Sequence, residues 1–248
     1  MKMKRRDISD NRFSFRKRKA LNVQKKTNIV FQILFYEKSL IKNCKIKSND
    51  NEANKMNSTL LVIDMQNDFR KGASAYSCEM LDGELIKRVK QLIELCRQKN
   101  IPVVYTQHTI KEDKSNAENG EPADVRACIQ GTEGWKIINE LEPKRKDNIV
   151  LKHRADGFFE SKLAEALKNL NADAVIVCGV WTNNCVRATA EAAYARNYKI
   201  VLVSDCCGAN SFVEGFTSEQ VNDFTLKELK ERTYDSQLLT LDELKNVL

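Results

Sequence analysis

Three residues of this chain together supply the side chains that a nucleophilic active site requires. Asp64 and Lys152 each directly follow a short apolar run, and Cys185 follows another after a short turn. A thiol can attack a carbonyl carbon, a carboxylate can accept the proton of that thiol, and an ammonium group favours the thiolate. The combination therefore indicates nucleophilic catalysis by Cys185. Taken singly, the same residues have plainer interpretations: packing, a helix cap and a solvated charge.

The sequence around Cys185 is typical of an activated thiol. A strand predicted over residues 174–178 leads through a turn into an Ala-rich helix predicted over residues 185–197. Unpaired backbone amides at the start of a helix lower the pKa of a nearby thiol and can bind an oxyanion. We therefore expect a lowered pKa for Cys185 and an oxyanion hole formed by the backbone N–H groups of Trp181 and Cys185.

The elements that must position these residues alternate between strands and helices. Short apolar runs predict strands over residues 60–63, 101–105, 149–151, 174–178 and 200–204, with a sixth near residues 238–239. Helical periodicity predicts helices over residues 83–99, 134–141, 160–170, 185–197 and 218–232, with a last one from residue 242. This alternation predicts a three-layer α/β/α sandwich around a parallel sheet of about six strands.

Such a sheet would bring the candidate residues together. Ligand sites lie at the carboxyl ends of parallel strands, and the predicted strands end at Asp64, Lys152, Asp205 and the turn before Cys185. We therefore expect these residues at one edge of the sheet. The polar stretch over residues 109–129 is long enough to form a functional loop there.

Composition and charge exclude several classes of protein. The chain has 42% hydrophobic and 30% charged residues, as ordinary globular proteins do. Its net charge of +7 is concentrated in residues 1–56, which hold 16 Lys and Arg against 5 Asp and Glu, whereas the remainder holds 25 against 29. No apolar stretch approaches the ~20 residues of a membrane span. We therefore expect neither a specific nucleic-acid partner nor an integral membrane protein.

Residues 1–56 are predicted to lie outside the folded domain, which we place at residues 57–248. Three explanations stay open for this basic segment: a disordered tail, an organelle-targeting extension, or an upstream extension of the gene model. A chain that began at Met56 would place its first strand almost at its N-terminus.

Cysteine and histidine usage bears on the compartment and on metals. The eight cysteines, at positions 44, 78, 96, 128, 178, 185, 206 and 207, show no regular disulfide framework. Free thiols in a reducing, cytoplasmic compartment are the simpler interpretation. Only two histidines occur and no Cys-x-x-Cys, so we expect neither a metal nor another cofactor.

Three segments resemble the signature blocks of isochorismatase-like cysteine hydrolases, within the nicotinamidase/isochorismatase superfamily. They are residues 63–69 (IDMQNDF), residues 152–154 (KHR) followed by Phe158, and residues 179–190, which contain TNNCVRATA. Residues 131–135 (GTEGW) are similar to the loop that precedes the Lys block in that family. The resemblance covers nearly all of residues 58–248 in the same order.

The resemblance implies a catalytic triad of Asp64, Lys152 and Cys185 that releases ammonia or an amine from a carbonyl carbon and then hydrolyses a thioester. It implies a three-layer fold, a cis peptide bond between Val180 and Trp181, and a homo-oligomer, either a dimer or a tetramer. The presence of Cys185 favours amide chemistry over the vinyl-ether cleavage of isochorismatases proper. We therefore expect a small, polar amide, carbamoyl or ureido substrate.

Departures from the family narrow this expectation. Nicotinamidases in the superfamily carry an Asp and two His as a metal site, whereas residues 106–109 (TQHT) supply one His, so a metal-independent type is favoured. His108 could contact substrate or serve structurally. The other predicted substrate contacts are Gln66, Phe69, Phe158 and Trp181. Two alternatives remain: a nicotinamidase-like amidase with an altered metal site, and a catalytically idle binding or scaffold protein.

Overall fold

The computed structural model describes residues 56–118 and 126–248. The sheet strands in these ranges are β1 (Ser58–Ile63), β2 (Val103–His108), β3 (Asn148–Lys152), β4 (Ala174–Val180), β5 (Lys199–Gly208) and β6 (Gln237–Leu239). The α-helices are α1 (Gly83–Gln98), α2 (Leu163–Asn169), α3 (Arg187–Tyr194), α4 (Ser218–Arg232) and α5 (Leu241–Val247). None of the helices in these ranges is long and apolar enough to cross a membrane. The basic tail predicted over residues 1–56 lies, apart from Met56, outside the described residues.

All six strands run parallel, in the order β3-β2-β1-β4-β5-β6. The chain builds the sheet from β1 to one edge and then returns to β4 and builds to the other. Strands β1 and β4 lie at the centre and are buried almost throughout, as parallel strands covered on both faces must be. The predicted parallel sheet of six strands is confirmed. The strand order reverses between β1 and β4, and such a reversal leaves a crevice at the carboxyl ends of the strands.

Helices cover both faces of the sheet, which confirms the predicted three layers. One core packs the sheet against α1 and α5, and the other packs it against α2, α3 and α4. Helix α1 agrees with its periodicity, since Leu85, Val89, Leu92 and Cys96 are buried. It begins at the residue after Asp82, whose carboxylate accepts hydrogen bonds from two backbone amides of the first turn.

The helix predicted over residues 134–141 is wrong. Only Asn139–Leu141 forms a short 3₁₀ turn, because the backbone before it bonds to the segment that follows β1. The Asp68 amide donates to the Gly134 carbonyl (2.9 Å), and the Ile138 amide donates to the Met65 carbonyl (3.0 Å). A Cβ atom on Gly134 would lie 2.1 Å from the Asp68 carboxylate, so a larger residue there would displace that side chain. The loop therefore serves to position the exit of β1.

The prediction that a strand ends before Asp205 is also wrong. Strand β5 continues to Gly208, so Asp205 lies inside it rather than at its carboxyl end. Its carboxylate accepts hydrogen bonds from the Arg88 guanidinium (3.0 Å) and from the Leu241 backbone amide (2.8 Å). Asp205 thus joins α1 and α5 to the sheet and does not belong to the candidate site.

Candidate active site

The structure brings Asp64, Lys152 and Cys185 together at the carboxyl ends of the central strands. The Lys152 Nζ atom lies 2.6 Å from Oδ2 of Asp64 and 3.4 Å from Sγ of Cys185. The exposed fraction is 0% for Asp64, 1% for Lys152 and 6% for Cys185. An ion pair withdrawn this far from water is stable only when both charges find partners. Lys152 gains a further one, since Nζ donates to the carbonyl of Arg154 (2.9 Å).

Residues of strands β1, β2 and β3 hold the ion pair between Asp64 and Lys152 in place. Asp64 follows β1 with a positive φ of 50°, and its backbone amide donates to the carbonyl of Thr106 in β2 (3.2 Å). The Thr106 hydroxyl donates to Oδ1 of Asp64 (2.8 Å), so Thr106 holds one carboxylate oxygen and Lys152 the other. Lys152 is the last residue of β3, which lies two strands away from β1. Its long side chain crosses β2 to reach the Asp64 carboxylate. The sequence reasoning missed Thr106, because a strand threonine carries no signal of its own.

Cys185 reaches the ion pair through a turn that glycine makes possible. Gly179 has φ of +118°, and a Cβ atom on it would lie 2.1 Å from the Ile63 carbonyl oxygen, so only glycine lets β4 approach the end of β1 this closely. Directly after this close approach, the peptide bond between Val180 and Trp181 is cis, as expected. Cys185 then lies in a π-helical turn, Thr182–Val186, and α3 begins only after it. The helix predicted to begin at residue 185 therefore begins at Arg187.

The protonation of the site differs from the sequence-based expectation. Burial raises the pKa of the Cys185 thiol to about 12, Lys152 opposes this rise, and the negative charge of Asp64 adds to it. Burial alone would lower the pKa of Lys152, but Asp64 and Cys185 together raise it above its usual value. The expected lowering of the Cys185 pKa is therefore wrong. The resting site holds a neutral thiol beside an ion pair, and the thiol needs a base.

His108 ends β2 beside this site and is neutral. Burial, followed by the charge of Lys152, lowers the pKa of its imidazole to about 3. Its Nδ1 atom is enclosed and has no hydrogen-bond partner among the described residues. A neutral imidazole with an unpartnered nitrogen keeps the predicted substrate contact by His108 open, as a proposal.

The burial of His108 predicts a pH dependence of stability. In the unfolded chain this histidine binds a proton below its usual pKa of ~6.5, whereas in the folded chain it stays neutral down to a pH of about 3. The free energy of unfolding should therefore fall as the pH drops from 6 to 4, by ~1.4 kcal/mol per unit from this residue. His108→Asn should remove that part of the slope in urea titrations. His153→Asn is the matched control, and an equal change in both variants would contradict the assignment.

A wall of four aromatic rings lies next to the site. Trp181 meets Phe69 edge-on at a centroid distance of 5.9 Å, Tyr76 at 6.2 Å and Phe212 at 5.1 Å. Tyr76 also lies 6.3 Å from the ring of His108. We call Phe69, Tyr76, Trp181 and Phe212 the aromatic wall. Phe69 and Trp181 were expected here, whereas Tyr76 and Phe212 come from irregular loops that carry no motif.

Comparison with known proteins assigns the family. Residues 58–233 match the isochorismatase domain family. The chain belongs to the isochorismatase family. Nicotinamidase 3 of Arabidopsis thaliana is 29% identical to this chain over 163 residues. The aligned part covers 65% of this chain and 78% of that relative. The predicted family and hydrolase class are thereby confirmed.

Solved structures of the isochorismatase family share the fold. An isochorismatase family protein from Desulfovibrio vulgaris subsp. vulgaris str. Hildenborough has a TM-score of 0.69 at 25% identity, covering 78% of this chain and 98% of that one. N-carbamoylsarcosine amidase from Thermoplasma acidophilum has a TM-score of 0.60 at 26% identity, covering 76% of this chain and 98% of that one. The similarity thus extends over nearly the whole of both solved chains.

Gln66 has a structural position in this isochorismatase-family chain. Its amide nitrogen donates to the carbonyls of His108 (2.9 Å) and Trp135 (2.8 Å), and its amide oxygen accepts from the His108 amide (2.7 Å). The side chain is fully buried. Both ends of the Gln66 amide are therefore engaged with backbone groups, and we replace the expected substrate contact by a role in holding the end of β2.

Phe158 lies away from the aromatic wall. It belongs to the core beneath α2, α3 and α4, where its ring stacks on Tyr198 at 6.3 Å and the Arg196 guanidinium lies 4.6 Å from its centroid. The chain after β3 turns back over this face, because the Gly157 amide donates to the Thr189 hydroxyl (3.0 Å). This core also contains Cys185, so the predicted substrate contact of Phe158 stays a prediction.

The described residues contain no group of three or more His, Cys, Asp or Glu side chains arranged to hold a metal ion. The second histidine, His153, points its Nε2 toward Glu160 at 3.3 Å. We therefore derive no catalytic step through a metal. The seven cysteines in the described ranges are free and buried.

Proposed function

We propose that this chain cleaves the C–N bond of a small amide, carbamoyl or ureido compound, with Cys185 as nucleophile. One observation carries the proposal: Lys152 Nζ contacts both the Asp64 carboxylate and the Cys185 sulfur inside a buried site. A structural ion pair has no need of a thiol partner. The names of the similar nicotinamidase and N-carbamoylsarcosine amidase support chemistry at amide and carbamoyl groups.

In the first half-reaction, the sulfur of Cys185 attacks the carbonyl carbon and its proton passes to the Asp64 carboxylate. The carbonyl π bond opens onto oxygen, and the predicted donors to that oxyanion are the backbone N–H groups of Trp181 and Cys185. Lys152 remains protonated and stabilises the developing thiolate. Collapse of the adduct breaks the C–N bond, and Asp64 returns the proton to the leaving nitrogen. The products of this half-reaction are a thioester and ammonia or an amine.

In the second half-reaction, water attacks the thioester carbon while Asp64 accepts one of its protons. Collapse of this adduct breaks the C–S bond, and the proton returns to the sulfur of Cys185. The acid product leaves, and the neutral thiol that the raised pKa requires at rest is restored. Asp64 thus serves as base and acid in each half-reaction, which fits a carboxylate held between Thr106 and Lys152.

The aromatic wall indicates the kind of substrate. Rings bind flat, apolar groups by stacking and by edge contacts, and a neutral His108 adds no charge to that side of the site. We therefore propose an amide attached to a flat, uncharged group, in place of the polar compound expected from the sequence. Phe212 is largely exposed, at 66%, so it forms the solvent-facing end of the aromatic wall.

A substrate panel tests this function. The purified full-length chain should release ammonia from uncharged aromatic or heteroaromatic primary amides faster than from small polar amides and ureides of similar reactivity. The expected difference in kcat/KM is about fivefold or more, since the aromatic contacts contribute roughly 1 kcal/mol or more beyond area burial. Equal rates across the panel would contradict the role of the aromatic wall. No ammonia release from any compound would contradict the proposed reaction and favour a binding protein.

A further inference from the structure

We propose a second ligand site at the opposite end of the sheet, which binds a nucleoside polyphosphate. A cavity of about 530 Å³ opens there, between the end of α1, the start of β2 and the loop before β3. Its volume falls within the range of small-molecule sites, roughly 300 to 1,000 Å³. The proposal is independent of the hydrolase reaction, because the length of a six-residue strand, about 20 Å, separates this cavity from the triad.

The floor of the cavity is apolar. Ile101, Pro102 and Val103 form it where the chain enters β2, and Leu170 adds to it from the end of α2. Ile101, Pro102 and Leu170 are partly exposed and present hydrocarbon to an opening that polar groups otherwise surround, whereas Val103 is buried. A flat ring system can cover such a floor and withdraw it from water.

The rim of the cavity is cationic. Lys144, Arg145 and Lys146 are exposed, and their side chains have no acidic partner among the described residues. A turn holds them in place, since the Asp147 amide donates to the Lys144 carbonyl and the Asp147 carboxylate accepts from the Lys144 amide, both at 2.8 Å. The rim is therefore ordered, and its three charges are free to face a ligand.

The one carboxylate that lines the cavity in the described part of the chain is already neutralised. Asp147 pairs with the Arg97 guanidinium and is almost fully buried. Arg97 in turn contacts the Tyr105 hydroxyl (3.3 Å), while its Nε atom is enclosed and without a hydrogen-bond partner among the described residues. The cavity thus carries an excess of three positive charges, although residues 57–248 as a whole hold 25 Lys and Arg against 29 Asp and Glu. A local cationic cluster on a net acidic domain favours a multivalent anion.

Rim and floor together specify the ligand. Arginine and lysine bind phosphate oxygens through charged hydrogen bonds, and the apolar floor accepts the flat base of a nucleoside. An inorganic polyphosphate would leave the floor exposed, and a free nucleoside would leave the rim without a partner. A nucleoside di- or triphosphate satisfies both parts of the cavity.

Calorimetric titration of the full-length chain tests the site, with ATP, tripolyphosphate and adenosine as probes, in about 0.15 M salt to screen exposed charges. ATP should bind at least about tenfold more tightly than tripolyphosphate or adenosine, since tripolyphosphate contacts only the rim and adenosine only the floor. Lys144→Gln/Arg145→Gln/Lys146→Gln should weaken ATP binding by about tenfold or more, because three charged contacts are lost.

The matched control is Lys87→Gln/Lys227→Gln/Lys245→Gln, which removes the same charge from exposed helix positions that do not line the cavity. Its affinity for ATP should stay within about twofold of the parent chain. Both triple variants keep the basic residues 1–56, so ATP bound there would not distinguish them. An equal loss in the two variants, tripolyphosphate binding as tight as ATP, or no ATP binding at millimolar concentration would each overturn the proposal.

Discussion

Cys185→Ser should lower the rate of ammonia release by about four orders of magnitude or more, the scale on which loss of a covalent nucleophile acts. A hydroxyl ionises less readily than a thiol, and the proposed base, Asp64, is a carboxylate, which is too weak to activate serine. The free energy of unfolding should change by no more than about 1 kcal/mol, because serine keeps the shape of the residue and a polar partner in Lys152.

Cys78→Ser is the matched control for this experiment. Cys78 is also a buried, free thiol, and its sulfur lies 3.2 Å from the carbonyl oxygen of Ala209, a contact that serine can keep. This variant should retain the activity of the parent chain. Full activity in Cys185→Ser would reject the nucleophile, and equal losses in both variants would reduce the effect to disturbed packing.

Lys152→Met should destabilise the folded chain by ~3–5 kcal/mol and abolish hydrolysis. The substitution leaves the Asp64 carboxylate buried without a counter-charge, and an uncompensated buried charge is among the most costly defects in a protein core. Unfolding in urea measures the loss of stability. A loss well below this range would mean that water reaches Asp64 in the folded state.

The double variant Asp64→Asn/Lys152→Met separates stability from catalysis. With both charges removed, it should recover most of the stability lost by Lys152→Met alone, while hydrolysis stays absent because base and cation are both gone. Lys227→Met is the matched control. Lys227 lies 2.7 Å from the Asp223 carboxylate, almost the same distance, but both side chains are exposed, so the variant should lose less than about 1 kcal/mol. A double variant as unstable as Lys152→Met would reject charge burial as the cause.

The homo-oligomer, the cytoplasmic location and the role of residues 1–56 rest on the sequence alone. Phe212 of the aromatic wall and the nearby Val213 and Phe216 expose their apolar side chains. The oxyanion hole likewise stays a prediction, carried by the family resemblance and by the position of Cys185 beyond the end of β4.

The sequence by itself determined most of the helices and strands, and the edge of the sheet at which the candidate catalytic residues lie. Period-two and period-three-to-four patterns depend on local backbone geometry, so α1 and α4 were predicted nearly to the residue. The carboxyl ends of parallel strands meet whatever the exact register, and this rule alone placed Asp64, Lys152 and Cys185 together.

The tertiary structure decided what no local pattern carries. The pKa of Cys185 depends on how deeply the sulfur is buried. Burial raises this pKa by more than the charge of Lys152 lowers it, so the shift is opposite to the expected one. Thr106, Tyr76 and Phe212 joined the site only through contacts between segments distant in the chain. The stacking of Phe158 on Tyr198 likewise joins segments that are distant in the chain. Burial and long-range contacts arise from the whole packed molecule, and a residue's neighbours in sequence do not encode them.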